Sequence, residues 1–265
     1  MTIAIIPARM ASTRFPGKPM APIHGIPMIG HCYYRSKMSR FLDDVYIATC
    51  DEEIKQFAET INAPCVMTSP KHERASDRIA EAMLKLEKQY QTRHDIVVLI
   101  QGDEPMLQPE MVDKLIDALE SDPTVQVSNG YAPICSIGEF LDPNEVKVVL
   151  DNNSDAIYFS REPVPSRKKW EGNIPMFRQV CIIPFRRDYL LQFNSTPQTP
   201  LEKIESIDML RIIETGGKIR MVLTKARTIG VDVPEELALV EKLLIDDEVM
   251  KSYLFDRQSG GKNFE

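Results

Sequence analysis

The chain has no excess of positive charge: 32 Lys and Arg against 39 Asp and Glu give a net charge of -7 over 265 residues. A general nucleic-acid binder shows the opposite balance. Long apolar runs are also missing. Nothing approaches the roughly 18 apolar residues of a membrane helix, and the first residues show neither the basic nor the long apolar segment of a secretory signal. Cysteines are scattered and odd in number (Cys32, Cys50, Cys65, Cys135, Cys181), with no C-x-x-C pair, and the four histidines lack metal-ligand spacing. This excludes a disulfide scaffold and leaves buried free thiols in a reducing cytoplasm as the expectation. The Walker pattern and G-x-G-x-x-G are absent, so P-loop and dinucleotide-binding readings fail. No Ser-His-Asp or Cys-His arrangement is evident, and there is no internal repeat or low-complexity tract. With 43% apolar and 27% charged residues, the chain can bury a large core.

Short apolar runs alternate with amphipathic stretches through the first half. The strand candidates are 2–7, 44–50, 64–68 and 95–101; helices are expected near 27–40, 52–61, 77–90 and 109–120. The last helix puts Met111, Leu115, Ile116 and Leu119 on one face, with Pro109 in its first turn. Such alternation predicts an α/β fold, a mostly parallel sheet covered by helices on both faces. Ligands of these folds sit at the carboxyl ends of the strands. Beyond about 120 the regularity loosens. Strands are expected at 145–151, 156–161 and 178–186, and helices at 201–214 and 234–247. The expectation is one domain, 1–265, with a smaller α+β elaboration inserted at about 130–200.

The first strand runs into "IIPARMASTRFPGK", which carries Arg9, Arg14 and Lys18 among small and hydroxyl residues. On an acidic protein this local cationic loop points to a small anionic ligand. Its backbone N–H groups can approach a phosphate chain, arginines grip phosphate oxygens bidentately, and Lys18 adds a compact charge. The alternative is a solvated turn paired with surface carboxylates. A second cluster, "VVLIQGDEP" (97–105), ends an apolar strand in Asp103 and Glu104. Carboxylates at a strand end suit Mg²⁺, and Pro105 undercuts a helix-cap role for Asp103. A third acid, Asp232 in "IGVDVPEEL", precedes a helix and is open to either reading.

Taken together, "IPARMASTRFPGKPMAPIHGIPMIGH", "IQGDEPM", "NEVKVVLD", "AIYFSREPVP", "TPLEKIESIDMLR" and "GVDVPEEL" resemble, in order, the motifs of the CMP-Kdo synthetases, the 3-deoxy-manno-octulosonate cytidylyltransferases. The resemblance spans about 2–245. It implies a three-layer, Rossmann-like nucleotidyltransferase fold and transfer of CMP from CTP to an α-keto sugar acid such as Kdo. Pyrophosphate would leave, and the product would be an activated sugar for cell-surface polysaccharide (lipopolysaccharide) synthesis.

It also implies that Arg9, Ser12, Arg14 and Lys18 hold the CTP phosphates, that Pro7 and Ala8 line the nucleotide site with Ser76 and Arg78, and that Gln101 lies beside the sugar or ribose. Asp103 and Asp232 would be Mg²⁺ ligands, with Arg9, Arg14, Lys18 and Asp103 the catalytic set. Arg161 is the candidate for the acceptor carboxylate, since a planar cation suits a planar anion, against a strand-end salt bridge. A cytoplasmic homodimer without membrane insertion is implied.

Three departures from the family pattern stand out. Arg74-Ala75-Ser76-Asp77-Arg78 replaces S-G-T-D-R. Gln179, Cys181 and Ile183 occupy the places of a histidine, a glycine and an aromatic residue. Lys203 and Met209 replace glutamines beside the retained Glu202. The acceptor half therefore departs more than the nucleotide half, and Gln179, Glu202 and Lys203 are its candidate contacts. Competing readings are a nucleotide-sugar glycosyltransferase and a non-catalytic nucleotide-binding relative.

Overall fold

The structure, a computed structural model, describes residues 1–11, 14–169, 172, 174–224 and 228–259. It divides into two compact units. The first comprises Met1–His94, Leu99–Asp113 and the chain from Thr228 onward; the second comprises Asp95–Val98 and Lys114–Arg227.

In the first unit β1 (Thr2–Ala8) is buried along its whole length. Its Ile-rich run suits a pleated surface covered on both faces. A hairpin of β2 (Pro22–Ile23) and β3 (Ile26–Pro27) follows, turned by His24 and Gly25 with φ of 47° and 78°. The paired positive φ values fit a type I′ turn. Then come α1 (Met28–Lys37), β4 (Asp44–Thr49), α2 (Glu52–Thr60), β5 (Cys65–Met67), α3 (Ala75–Tyr90), β6 (Ile96–Ile100) and α4 (Pro109–Glu120). The unit boundary passes through β6 and α4. β1 pairs parallel with β4, from Ile3 opposite Asp44 to Ala8 opposite Thr49, and β4 pairs parallel with β5. The strands succeed one another as β6-β1-β4-β5, the parallel α/β arrangement expected from the alternation.

The second unit holds β7 (Ser128–Pro133), α5 (Ile137–Leu141), β8 (Lys147–Leu150), β9 (Ala156–Ser160), β10 (Phe177–Val180), β11 (Ile182–Arg186), α6 (Arg187–Ser195), α7 (Pro200–Glu205), α8 (Met209–Glu214) and β12 (Arg220–Leu223). Its sheet runs β12-β7-β10-β8-β9. β10 is antiparallel to both β7 and β8, and β12 is parallel to β7. The elaboration expected at 130–200 falls inside this unit.

The structure corrects two expectations here. The single strand expected at 178–186 is two strands: β10 belongs to this sheet, whereas β11 adjoins β6. The chain changes sheets at Cys181, inside the apolar stretch 180–185, which gives no sign of that change. The single helix expected at 201–214 is broken between α7 and α8. Ser206 adopts a left-handed conformation with φ 54° and closes α7 through its backbone N–H on the Glu202 carbonyl.

The chain returns to the first unit with α9 (Pro234–Leu244) and α10 (Glu248–Ser259), so the helix expected at 234–247 ends three residues early. These helices join Ile23, Ile26, Met28 and Met106 in one apolar cluster through Val240, Leu244, Met250 and Tyr253. His31 lies wholly buried in α1 beside it. Its Nε2 is 2.8 Å from the Ile23 carbonyl and its Nδ1 is 2.6 Å from the Tyr253 hydroxyl. The carbonyl can only accept, so Nε2 carries the proton and Nδ1 accepts from Tyr253. Burial, reinforced by the nearby Arg35 cation, pushes the imidazole down to about 4. An unfolded histidine titrates near 6.5, so between those values the unfolded chain binds the extra proton. Stability is therefore expected to be flat above pH 6.5 and to fall by about 3 kcal/mol as pH drops towards 4. Denaturant titrations over that range check this, and His31→Asn should flatten the slope.

Candidate nucleotide site

β1 delivers the cationic loop. Pro7 and Ala8 are buried at its carboxyl end and Arg9 emerges exposed. The loop then folds back on itself. Met10 N–H donates to Asp51 Oδ2 at 2.8 Å, and Gly17 N–H donates to the Met10 carbonyl at 3.1 Å. Gly17 has φ 72°, a conformation that favours glycine. This closure starts a 3-10 turn, Lys18–Met20, and aims Lys18 back into the unit.

Two acids meet it. β6 ends in a tight turn in which Glu104 N–H donates to the Gln101 carbonyl at 3.2 Å. Gly102 permits this turn to press on β1, since a Cβ there would stand 3.1 Å from the Pro7 carbonyl oxygen. Val231 N–H donates to the Asp103 carbonyl at 2.9 Å, which brings Asp232 beside it. Lys18 Nζ lies 2.7 Å from Asp103 Oδ2 and 3.1 Å from Asp232 Oδ1. Arg14 Nη2 lies 3.0 Å from Asp232 Oδ2. Burial alone would lower the Lys18 pKa, but the attraction of Asp103 and Asp232 outweighs it and holds the ammonium above its ordinary value.

Neither acid is a helix cap. α4 begins only at Pro109, and the N-terminus of α9 is served by Glu236, whose Oε2 accepts from the N–H groups of Asp232 and Val233 at 2.5 and 3.1 Å. The side chains of Asp103 and Asp232 remain about 30% exposed, at 27% and 32%. Three segments spread over more than 200 residues of sequence thus converge: the first loop with Arg14 and Lys18, the turn after β6 and the segment before α9.

Of the other expected nucleotide contacts, Gln101 is half-buried and opens the turn after β6. Ser76 and Arg78 stand buried in the first turn of α3. Arg78 Nη1 donates to Thr68 Oγ1 at 2.5 Å, tying α3 to the end of β5. Ser12 lies outside the described residues.

The acceptor candidates belong to the second unit and are deployed differently. Arg161 spends its head group on carbonyls: Nε on Glu205 at 2.8 Å, Nη1 on Pro143 at 2.9 Å and Nη2 on Ser206 at 3.5 Å. Glu205, which sequence reasoning missed, is the organiser there. Its carboxylate accepts from Arg161 N–H, the Ser160 hydroxyl and the Tyr158 hydroxyl at 2.9, 2.9 and 3.1 Å. Burial alone would raise its pKa, but these donors hold it below the usual carboxylate range. Glu202 is wholly buried and bidentate with Arg211, at 2.6 and 2.7 Å, and Arg211 lies over the Phe193 ring at 4.3 Å. Both groups hold α7 against α8 and α6. Gln179 is buried and donates from Nε2 to Asn129 Oδ1 at 2.6 Å, while Lys203 is exposed on α7.

Among the described residues no helix is long and apolar enough to cross a membrane. A family model described as cytidylyltransferase matches residues 3–221. The chain is 41% identical over 251 residues to a 3-deoxy-manno-octulosonate cytidylyltransferase of Geobacter metallireducens, covering 91% of this chain and 96% of that one. Among solved structures it resembles a CMP:2-keto-3-deoxy-manno-octonic acid synthetase complexed with CTP, at TM-score 0.84 and 35% identity, covering 92% and 98% of the two chains. A cytidylyltransferase from Leptospira borgpetersenii shares the fold at TM-score 0.60 and 16% identity, covering 100% and 98%. The converging acids and cations lie within a chain of this descent: it is a nucleotidyltransferase and belongs to the cytidylyltransferase family.

Proposed function

We propose that the protein transfers CMP from CTP to Kdo or a Kdo-like α-keto sugar acid, with release of pyrophosphate, and that its product feeds cell-surface polysaccharide synthesis. The observation that carries this reading is the meeting of Lys18 and Arg14 with Asp103 and Asp232 at the carboxyl ends of β1 and β6, within a chain 41% identical to a named Kdo cytidylyltransferase. Arg9, Arg14 and Lys18 hold the triphosphate and offset the charge that builds on the leaving pyrophosphate. Pro7, Ala8 and the turn at Gln101 shape the pocket around the nucleoside. The anomeric hydroxyl of the acceptor attacks the α-phosphorus, and positioning with charge neutralisation suffices for the step.

The acids fit Mg²⁺. Two carboxylates reach one ammonium and so offer hard oxygens at a common point, and no cluster of three His, Cys, Asp or Glu forms among the described residues. That donor set suits an ion that keeps waters and takes its remaining ligands from phosphate. When bound, Mg²⁺ would neutralise phosphate charge and polarise the α-phosphoryl group. A pyrophosphate-release screen of four nucleoside triphosphates against a panel of sugar acids tests the function. CTP with a Kdo-type acid should be productive, and release of a nucleoside diphosphate from a nucleotide sugar would instead indicate a glycosyltransferase.

Gln179 is proposed to set acceptor preference, with Lys203, exposed on α7, supplying a cation. Asn129 Nδ2 donates to the Val180 and Ile182 carbonyls at 2.7 and 3.2 Å. Its Oδ1 must therefore accept and Gln179 presents Nε2 to it, which leaves Gln179 a carbonyl oxygen and its second N–H. A histidine can carry a positive charge near neutral pH and this neutral amide cannot, so the site favours an acceptor with a differently substituted, uncharged contact at that point. Gln179→His is expected to raise kcat/KM for Kdo relative to amino-substituted Kdo by at least about tenfold, measured by competition. A neutral outcome would make the substitution a packing change.

A homodimer is proposed as well. β9 is the edge strand of its sheet and carries no charge, and Ile157 on it is 52% exposed while Ile204 on α7 is 76% exposed. An uncharged apolar edge invites pairing. Ile157→Glu should shift sedimentation towards the monomer without lowering the melting temperature of the monomer. The expectation of buried thiols is corrected, since only Cys32 is buried and Cys135 is exposed; a cytoplasmic location is proposed because reducing conditions keep such thiols free.

A further inference from the structure

One ammonium, that of Lys18, spans both carboxylates, 2.7 Å from Asp103 Oδ2 and 3.1 Å from Asp232 Oδ1. Arg14 takes the second Asp232 oxygen at 3.0 Å. Mg²⁺ binds its oxygen ligands at about 2.0–2.1 Å, so a divalent ion drawn to this pair of oxygens competes with the ammonium already on them. Like-charge repulsion between the two cations sets the competition. Lys18 is held where it competes. Its side chain is only 14% exposed. Its turn is pinned by Lys18 N–H on the Phe15 carbonyl at 3.2 Å, Met20 N–H on Gly17 at 2.9 Å and Ala21 N–H on Lys18 at 3.1 Å.

We propose that Lys18 is an internal counter-cation that blocks the Asp103–Asp232 pair until a triphosphate draws its ammonium away, so that divalent metal and nucleotide bind as mutually dependent ligands. The inference rests on the metal reading above and goes beyond it. The phosphate chain offers Lys18 a competing anion. Once the ammonium turns to it, two carboxylates lose their counter-charge and attract a divalent ion. Linkage makes the coupling reciprocal: the metal tightens nucleotide binding by the factor by which nucleotide tightens metal binding. The same lysine thus grips the triphosphate and keeps the acids from collecting a cation without substrate.

The test is Mn²⁺ binding to the full-length protein, followed by electron paramagnetic resonance with and without CTP, for the wild type, Lys18→Met, Lys18→Gln and the Lys18→Met/Asp103→Asn double variant. Thermal melts confirm that each is folded, and Lys18→Gln keeps a neutral donor between the acids should Lys18→Met not fold. Without nucleotide, both single variants should bind Mn²⁺ at least about tenfold more tightly than the wild type, because a cation competing at contact distance is gone. The added Asp103→Asn should abolish that gain. CTP should tighten Mn²⁺ binding more in the wild type than in either single variant. Variants no tighter than wild type, with CTP-dependent Mn²⁺ binding still requiring Asp103, would overturn the blocking role and leave the metal site standing. Mn²⁺ binding indifferent to Asp103 under every condition would overturn both.

Discussion

Asp103→Asn and Asp232→Asn are each expected to lower kcat by at least about a hundredfold, the scale of losing one charge-stabilising group in a preorganised site. Each substitution is nearly isosteric: it removes the charge and exchanges one carboxylate oxygen for an amide nitrogen. The fold should tolerate both, since neither acid caps a helix and each side chain is partly exposed. The backbone bond from Val231 N–H to the Asp103 carbonyl does not involve the side chain and should survive. Steady-state pyrophosphate release at saturating CTP, with melting curves alongside, measures this. Near-normal Mg²⁺-dependent turnover in either variant would remove that residue from the site.

Lys18→Ala is expected to cost roughly 2–4 kcal/mol of transition-state stabilisation, read as kcat/KM for CTP. The basis is position: the ammonium is aimed into the unit by the Gly17 turn, and no other described cation reaches both acids. Two effects then oppose each other. The loss removes a charge that holds the leaving pyrophosphate, while the acids, freed of their counter-cation, gain affinity for metal. The first should prevail in turnover, because metal binding is saturable at high Mg²⁺ and phosphate charge neutralisation is not. Arg14→Lys should also be harmful, since a point charge does not replace a bidentate fork. Unchanged kinetics in both variants would return the loop to a solvated turn.

The nucleotide side of this account was legible in the sequence because its signals are local. A buried apolar strand followed at once by cations, and another followed by Gly102-Asp103, need only the rule that ligands gather at strand ends. The sequence could not say whether Asp232 was a cap. That was decided by Glu236, four residues on, whose carboxylate takes the N–H groups of Asp232 and Val233. The second unit was read less well, for physical reasons. β7 is "SNGYAP", a strand poor in β-formers, held by its neighbours on both sides rather than by propensity. The step from β10 to β11 happens at one residue inside the apolar stretch 180–185. Glu205 carries no local signal, because its partners Tyr158, Ser160 and Arg161 lie 44 to 47 residues earlier in the chain. Long-range partners of this kind leave no periodicity to read.

The central claim is that an acceptor hydroxyl attacks the α-phosphorus of CTP at the Lys18–Asp103–Asp232 cluster. It is tested most directly by isotope transfer: a Kdo-type acceptor labelled with ¹⁸O at the anomeric hydroxyl is incubated with CTP, Mg²⁺ and the enzyme, and the products are weighed by mass spectrometry. The account predicts that the label is retained in the bridge between sugar and phosphorus of a CMP-sugar, with unlabelled pyrophosphate released in equal amount. Label lost to water, or free CMP formed without a CMP-sugar, would contradict it.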